Sequence, residues 1–398
     1  MTQMKELAKY LIHEYYDPSS DFRSGKMVRA KNILIDQDFI DGVQIGFQEL
    51  SRQAAELEQA GIITAVRKNF ELCTIRIQTC AVPALYHYAG LRNPLDEREH
   101  VFAELRRWRA DASADWLVSY YNEQIASFEK GNKTPKENAE KKDFYQCLNA
   151  VVSNDHDIWK RKFSEDVLGD SKRFEGNPKK KIPGYEKSII TILKKCPYIE
   201  DTMTDAEVLA EFGIMTYSQT LELKGSLQYV LDDGTAADTA GMKYGVVINA
   251  QTLSHASVTG LRGIRKIITI ENKANYEAVS YDPEILYLYT HGFFSPKERK
   301  FLEGINAVIS SETAFLHWSD LDYGGFRIFQ FIRKEVFPLV KPLHMTPEDY
   351  RAALLRGYGI PLDPDKRMKL EKIDVPELAD LKACILMENM EIEQEALM

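Results

Sequence analysis

Cysteine is scarce and badly placed for either of its structural uses. The five in 398 residues, Cys73, Cys80, Cys147, Cys196 and Cys384, are odd in number and scattered. The absence of a close CxxC pair argues against a zinc site, and the scatter argues against a disulfide framework. Both fit a reduced, cytoplasmic protein. No apolar run approaches the roughly 20 residues that span a bilayer, so no membrane partner is expected. The opening MTQMKELAKYLIHEYY lacks a basic region followed by an apolar run and does not read as a signal peptide. Positive charge is in deficit too: 51 Lys and Arg against 60 Asp and Glu leave a net charge of −9. A globally acidic chain does not attract nucleic acid through its overall field. Any such role must rest on local basic patches or on a metal that bridges acid to phosphate.

What is present suits a soluble α/β protein of several domains. Hydrophobic residues make up 44% of the chain, and its length exceeds one ordinary core. Residues 1–80 read as a small α/β unit. Phe47, Leu50, Ala54 and Leu57 recur at helical spacing, and Gly61 suits the helix end. Segments 62–66 and 73–77 follow as two short strands around a polar turn. That order is the tail of a winged helix, or of any small α/β cap. Residues 81–158 read as a helical arm or linker. It holds one long amphipathic run ending at Gly131, a polar break, and a helix from Phe144 to about Val152.

Residues 159–260 form a basic central region and a lead-in of strand-like pieces, LELKG, LQYVL and YGVVI. Between 159 and 195 stand eleven Lys and Arg against five acids, a local net of +6, with Trp159, Phe163, Phe174 and Tyr185 interleaved. Lys172, Arg173, Lys179, Lys180 and Lys181 are the candidates for phosphate contact, since such cations displace condensed counterions from a duplex. A solvated loop accounts for the Lys179–Lys181 run equally well.

The chemistry gathers in residues 261–398, where strands and helices alternate as in a parallel sheet. Segment 266–270 is a β-branched strand ending in Glu271. Segment 285–289 is a second strand, ending in Thr290, His291 and Gly292. Ser295, Pro296 and Glu298 then open a helix as N-cap, first residue and capping-box acid. Segment 313–318 is a third strand, ending in Asp320, Asp322 and the Gly324–Gly325 pair, with a helix from Phe326 to Phe337 beyond; the two glycines allow a sharp turn into that helix and a close approach of backbone to a ligand. Ligands collect at the carboxyl ends of parallel strands. An extended backbone turns Asp320 and Asp322 the same way. Three carboxylates at one sheet edge repel one another, and a hard divalent cation removes the repulsion, so Mg²⁺ or Mn²⁺ is the expected cofactor. Glu271 alone would read as a surface acid, and a lone DxD is weak. Their joint placement is the signal.

These residues resemble a known family. ITIEN at 268–272 with DLDYGG at 320–325 is similar to the Toprim fold, in the version found in the topoisomerase VI A subunit. Within that group the details resemble the JetD family, the nuclease subunit of bacterial Wadjet plasmid-defence systems. VLGDSKRFE at 167–175, TIENKANY at 269–276, YTHGF at 289–293, HWSDLDYGGF at 317–326 and IEQEAL at 392–397 carry the likeness. It covers residues 160–398 well and 1–80 loosely, where the family has a winged-helix-like domain. Tyr323 departs from a common Pro, Ser319 from a common Gly and His291 from a small residue; no carboxylate is lost. The resemblance implies a metal-dependent endonuclease that cuts circular plasmid DNA as a homodimer beside an SMC-like condensin complex. Glu271 would be a metal ligand or general acid/base, and Asp320 and Asp322 metal ligands. Glu393 and Glu395 would complete the site or form a plain acidic helix end. Lys273 and His291 would touch phosphate, although a strand-end His is more commonly packed.

Two other readings follow from the same residues. A topoisomerase-like transesterase needs a tyrosine nucleophile. Tyr15 and Tyr16 are available, in a HEYYD context that matches the motif poorly. A catalytically inactive DNA-binding adaptor is the third. Changing Lys179, Lys180 and Lys181 together to Ala is expected to flatten the salt dependence of duplex binding. An unchanged slope in a salt titration would assign the run to solvation alone.

Overall fold

The helix around Leu50 forms as its spacing predicts, with Leu50, Ala54 and Leu57 buried and Phe47 at its start 40% exposed. It belongs to the first of two units, Met1–Ser153 and Asn154–Met398, in a computed structural model that describes residues 5–15, 31–130 and 142–397. The first unit opens with α1 (Glu6–Tyr15), β1 (Lys31–Leu34), α2 (Gln37–Val43), α3 (Phe47–Gln59), β2 (Ile63–Lys68), β3 (Glu71–Ile77) and α4 (Val82–Ala89). The strands pair antiparallel in the order β1-β3-β2. Leu7, Leu11, Leu50, Leu57, Ile75 and Leu85 share one core beneath them. Gly61 takes a left-handed φ of 69° just past α3, which a Cβ would oppose. The rest of this unit is α5 (Pro94–Ala110), α6 (Asp115–Glu129) and α7 (Lys142–Ser153).

The expected single run through residues 100–131 is in fact two helices. The chain leaves α5 at Asp111, and Ala114 is extended, with φ −125° and ψ 139°. α6 then folds back so that Phe128 meets Phe102 at 4.6 Å between ring centroids. Amphipathic spacing continues across such a break because both helices bury a stripe. A buried Asn149 on α7 ties the three together: its amide donates to the Trp108 carbonyl at 2.9 Å and accepts from the Tyr121 hydroxyl at 2.7 Å. The polar break at 131–141, Tyr16 and the side chain of Tyr15 lie outside the described residues.

The second unit begins with β4 (Ile158–Trp159), α8 (Lys160–Leu168), α9 (Glu186–Leu193), α10 (Asp205–Glu211) and β5 (Ile214–Met215). There follow β6 (Leu221–Lys224), β7 (Gln228–Leu231), β8 (Ala236–Asp238), β9 (Val246–Ile248), α11 (Ala250–His255) and β10 (Ala256–Gly260). Next come β11 (Lys266–Ile270), α12 (Lys273–Ala278), β12 (Ile285–Tyr289), α13 (Pro296–Val308), β13 (Ala314–Trp318) and α14 (Tyr323–Glu335). The chain ends through β14 (Lys341–Pro342), α15 (Pro347–Leu355), β15 (Ile360–Pro361), α16 (Pro364–Lys372), α17 (Ala379–Glu388) and β16 (Met390–Glu391). The architecture is mixed α/β.

The main sheet has six strands in the order β14-β13-β11-β12-β6-β9. β12, β11, β13 and β14 run parallel; β6 and β9 join antiparallel, so the sheet draws two strands from the 205–260 region. β7, β8 and β10 make a separate antiparallel sheet. Ile267, Ile268, Thr269 and Ile270 are all buried, as a strand covered on both faces requires. The helix at Ser295 carries the capping box that the sequence predicts.

A buried polar pair crosses the middle of this sheet. Thr269 and His317 face each other in register, with the hydroxyl 2.8 Å from the His317 Nδ1. Burial pushes the imidazole down to about 3 from its ordinary 6.5. A depressed His leaves its stabilising contribution whole above 6.5, and that contribution is lost as pH falls from 6.5 toward 3. His317→Gln should therefore lose less stability than the parent between pH 7 and pH 5 in urea unfolding. Parallel losses would contradict a neutral buried imidazole.

Candidate metal centre

β11 and β13 are neighbours in register, Ile270 opposite Trp318, so their carboxyl ends deliver acids to one edge. Glu271 follows directly; its N–H donates to the Trp318 carbonyl at 3.1 Å. Its Oε2 lies 3.4 Å from the Asp320 backbone nitrogen, which donates to it. Asp320 Oδ1 accepts from the Gln394 backbone N–H at 2.7 Å. Between the aspartates, Leu321 is fully buried and pairs antiparallel with Ile392. Asp322 is extended, with φ −143° and ψ −176°, and caps α14 by accepting from the Gly325 N–H at 2.8 Å.

The glycine pair plays a different part from the one its position suggests. Gly324 and Gly325 lie inside the first turn of α14, which starts at Tyr323 and not at Phe326. A Cβ on Gly325 would stand 2.0 Å from the Asp320 carbonyl oxygen. The close approach is to the chain's own Asp320 backbone. Any side chain there would push the aspartate out of place.

The three acids act on one another. Burial raises Glu271 to about 8 from 4.5; the Asp320 and Asp322 charges add to it, and Glu207 adds a smaller push. The Asp320 N–H works the other way. Asp320 is raised to about 6, again by burial first, with Asp322, Glu395 and Glu393 behind it and the Gln394 N–H opposing.

The C-terminal segment is strapped across this edge. Gln394 is fully buried; its Oε1 accepts from the Asn272 N–H at 2.9 Å, and its carbonyl accepts from the Asn275 amide at 2.9 Å. Glu395 accepts from the Asn272 amide at 2.7 Å, and Leu397 packs on the core beneath β11. Glu393 and Glu395 thus stand beside Asp320 with exposed side chains. Three participants escaped the sequence reading. Lys366 on α16 donates to Asp322 Oδ2 at 3.0 Å and to both oxygens of Glu391 at 2.9 and 3.0 Å. Glu207 on α10 accepts from the Phe293 N–H at 3.0 Å. No local pattern announces any of the three, because each acts on a partner far away in the sequence.

The candidate phosphate contacts divide. Lys172, Lys179 and Lys181 are exposed and make no ion pair among the described residues, and the Lys180 side chain lies outside them. Arg173 is engaged, donating to the Pro183 carbonyl at 2.9 Å and to the Tyr185 hydroxyl while stacking over the Tyr185 ring. Lys273 is engaged as well, in an ion pair with Glu222 and over the Tyr289 ring. Much of the remaining basic stretch is paired: Lys160 with Glu186 and Glu175, Arg161 with Glu175, Lys162 with Asp166, and Lys194 with Asp205. His291 is packed, its Nε2 3.0 Å from the fully buried Glu298.

The donors suit a hard divalent cation. All are carboxylate oxygens, and the burial and neighbouring negative charge that raise Glu271 and Asp320 are what such a cation offsets. As they stand, no three His, Cys, Asp or Glu side chains among the described residues are grouped to hold an ion. Asp322 has one oxygen on Gly325 and the other on Lys366.

Comparison with known proteins bears on the same segment. Residues 227–398 match the family model described as Wadjet protein JetD, C-terminal. The chain is also 26% identical over 331 residues to the Wadjet protein JetD of Bacillus cereus (strain Q1), covering 81% of this chain and 78% of that relative. No helix among the described residues is long and apolar enough to cross a membrane.

The Glu271 shift carries a pH signature. An acid raised from 4.5 to about 8 holds its proton when folded and releases it when unfolded. Its stabilising contribution is whole below 4.5 and is lost as pH rises from there toward 8, on the order of 3 kcal/mol by pH 7. Without divalent cations, Glu271→Gln should be flatter than the parent between pH 5 and pH 8 in urea unfolding, and more stable at the upper end. Parallel profiles would remove the buried acid from this account.

Proposed function

We propose that this chain, a member of the JetD family, is a divalent-metal-dependent DNA endonuclease that cleaves circular plasmid DNA as the effector of an SMC-like anti-plasmid complex. The observation that carries the reading is the meeting of Glu271, Asp320 and Asp322 at one edge of a parallel sheet, inside the segment that matches the family model. The β12-β11-β13 core of the second unit supports its reading as a Toprim domain. The helix–strand–helix–helix–strand–strand order of residues 6–77, with its β1-β3-β2 sheet, supports a winged helix.

Asp320 and Asp322 would hold Mg²⁺ or Mn²⁺ together with Glu271, with Glu393 and Glu395 at the margin. When bound, the ion supplies charge stabilisation at phosphate oxygens and a water that ionises more easily. Glu271 has a second capacity. Beside the cation its carboxylate would take a proton from an attacking water at one oxygen and give it up to the leaving oxygen. The Asp320 N–H steadies its Oε2. Lys172 and the exposed lysines of the 179–181 run are among the described cations free to meet phosphate. A homodimer would bring one such centre to each strand of the duplex.

Glu271→Ala, Asp320→Ala and Asp322→Ala should each lower plasmid cutting by roughly 100-fold or more while leaving the protein folded. The assay is linearisation of supercoiled plasmid with Mg²⁺ or Mn²⁺, with circular dichroism as the folding check. Unimpaired cutting by any two variants would refute the proposal. Cut ends bearing covalently attached protein would replace hydrolysis with transesterification.

A further inference from the structure

Lys366 holds a place that no sequence pattern announces. It sits in the first turn of α16, where Asp363 accepts from the Asp365 and Lys366 backbone N–H groups at 2.9 and 3.3 Å. The turn is fixed from the other side as well. β15 pairs with β16, placing Ile360 opposite Glu391, and Arg367 donates to the Leu386 carbonyl at 2.7 Å and to the Asn389 side chain at 2.9 Å. The lysine stem is therefore aimed, and its ammonium meets three carboxylate oxygens within 3.0 Å, one on Asp322 and two on Glu391. An ammonium has three protons to donate, so every one is used.

That arrangement has a consequence for the acidic edge. Both Asp322 oxygens carry a donor, Oδ1 accepting from Gly325 and Oδ2 from the Lys366 ammonium, the one cation on this carboxylate among the described residues. Glu271 and Asp320 are left as the two acids not tied to a cation. We propose that Lys366 is a resident cation that competes with the divalent ion for Asp322 and so holds the free protein's centre in an incomplete state. This rests on reading Glu271, Asp320 and Asp322 as metal ligands. Completing the centre then requires the Lys366–Asp322 contact to open. β16 runs directly into the Ile392–Leu397 strap that grips Asp320 and Asn272. A partner or a DNA duplex that moved this strap would move Glu391, and the ammonium with it.

The test is Mn²⁺ binding to the full chain, followed by electron paramagnetic resonance without DNA. Lys366→Met should bind Mn²⁺ roughly tenfold more tightly than the parent, because freeing one carboxylate adds a charged ligand to the set. Lys369→Met is the charge-matched control: three residues along the same helix, it pairs with Asp201, and its affinity should stay near the parent's. An affinity for Lys366→Met equal to or below the parent's would overturn the proposal. So would an equal gain by Lys369→Met, which would reduce the effect to general charge removal. If Lys366→Met fails to fold because Glu391 is left unpaired, the double variant Lys366→Met with Glu391→Gln removes that charge and should show the same gain. Asp320→Asn separates the two levels. Mn²⁺ binding that survives it unchanged would remove the metal-site reading beneath the proposal, whereas weakened binding with no gain from Lys366→Met would remove the Lys366 claim alone.

Discussion

The burial of neighbouring acids at the end of the β11–β13 pair is the constraint on which this edge of the second unit depends. Glu271 and Asp320 are brought together by strand register, which cannot be relaxed without slipping a buried sheet. Their carboxyls are then deprived of water and pressed upward in pKa, first by burial and then by neighbouring carboxylates, Asp320 and Asp322 acting on Glu271 and Asp322, Glu395 and Glu393 on Asp320. Backbone N–H donors offset part of this cost: Asp320 donates to Glu271, Gln394 to Asp320 and Gly325 to Asp322. The Lys366 ammonium faces the third acid, Asp322. The return of the C-terminal segment to the sheet edge makes sense on these terms. It supplies the Gln394 donor, and it brings Glu391 to hold the lysine.

How much of this was legible depends on how local each signal is. The β-branched run at 266–270, the strand at 285–289 and the Ser295–Glu298 capping box are written in adjacent residues, and all three stand where the pattern places them. Glu271, Asp320 and Asp322 were legible because strand ends can be located from the strands. Other features were not. The break between Ala110 and Asp115 interrupts no amphipathic stripe, so nothing in the spacing marks it. β6 and β9 are short and take their place in the main sheet through pairings that no periodicity encodes. Lys366 meets Asp322 across 44 residues and Glu391 across 25, distances over which composition is silent. Gly325 was legible as a site of close approach, but its partner, the carbonyl of Asp320, was not.

The basic stretch shows why a charge count is a poor guide to an interface. Its eleven cations promise a phosphate-binding surface. Once folded, Lys160, Arg161, Lys162 and Lys194 are engaged with Glu175, Glu186, Asp166 and Asp205, and Arg173 lies over an aromatic ring. Cations already facing acids release fewer counterions from a duplex than free ones. The +6 of the sequence therefore overstates the surface offered to DNA. Among the described residues, Lys172, Lys179, Lys181 and Lys187 are exposed and make no ion pair.

One divalent ion is proposed to sit among Glu271, Asp320 and Asp322. Anomalous diffraction from crystals grown with Mn²⁺ addresses it most directly. A manganese peak is expected within bonding distance of the Glu271 and Asp320 carboxylates, with Asp322 turned off Lys366 to join them. A well-ordered peak elsewhere in the chain, or none at this edge in crystals soaked at saturating Mn²⁺, would contradict it.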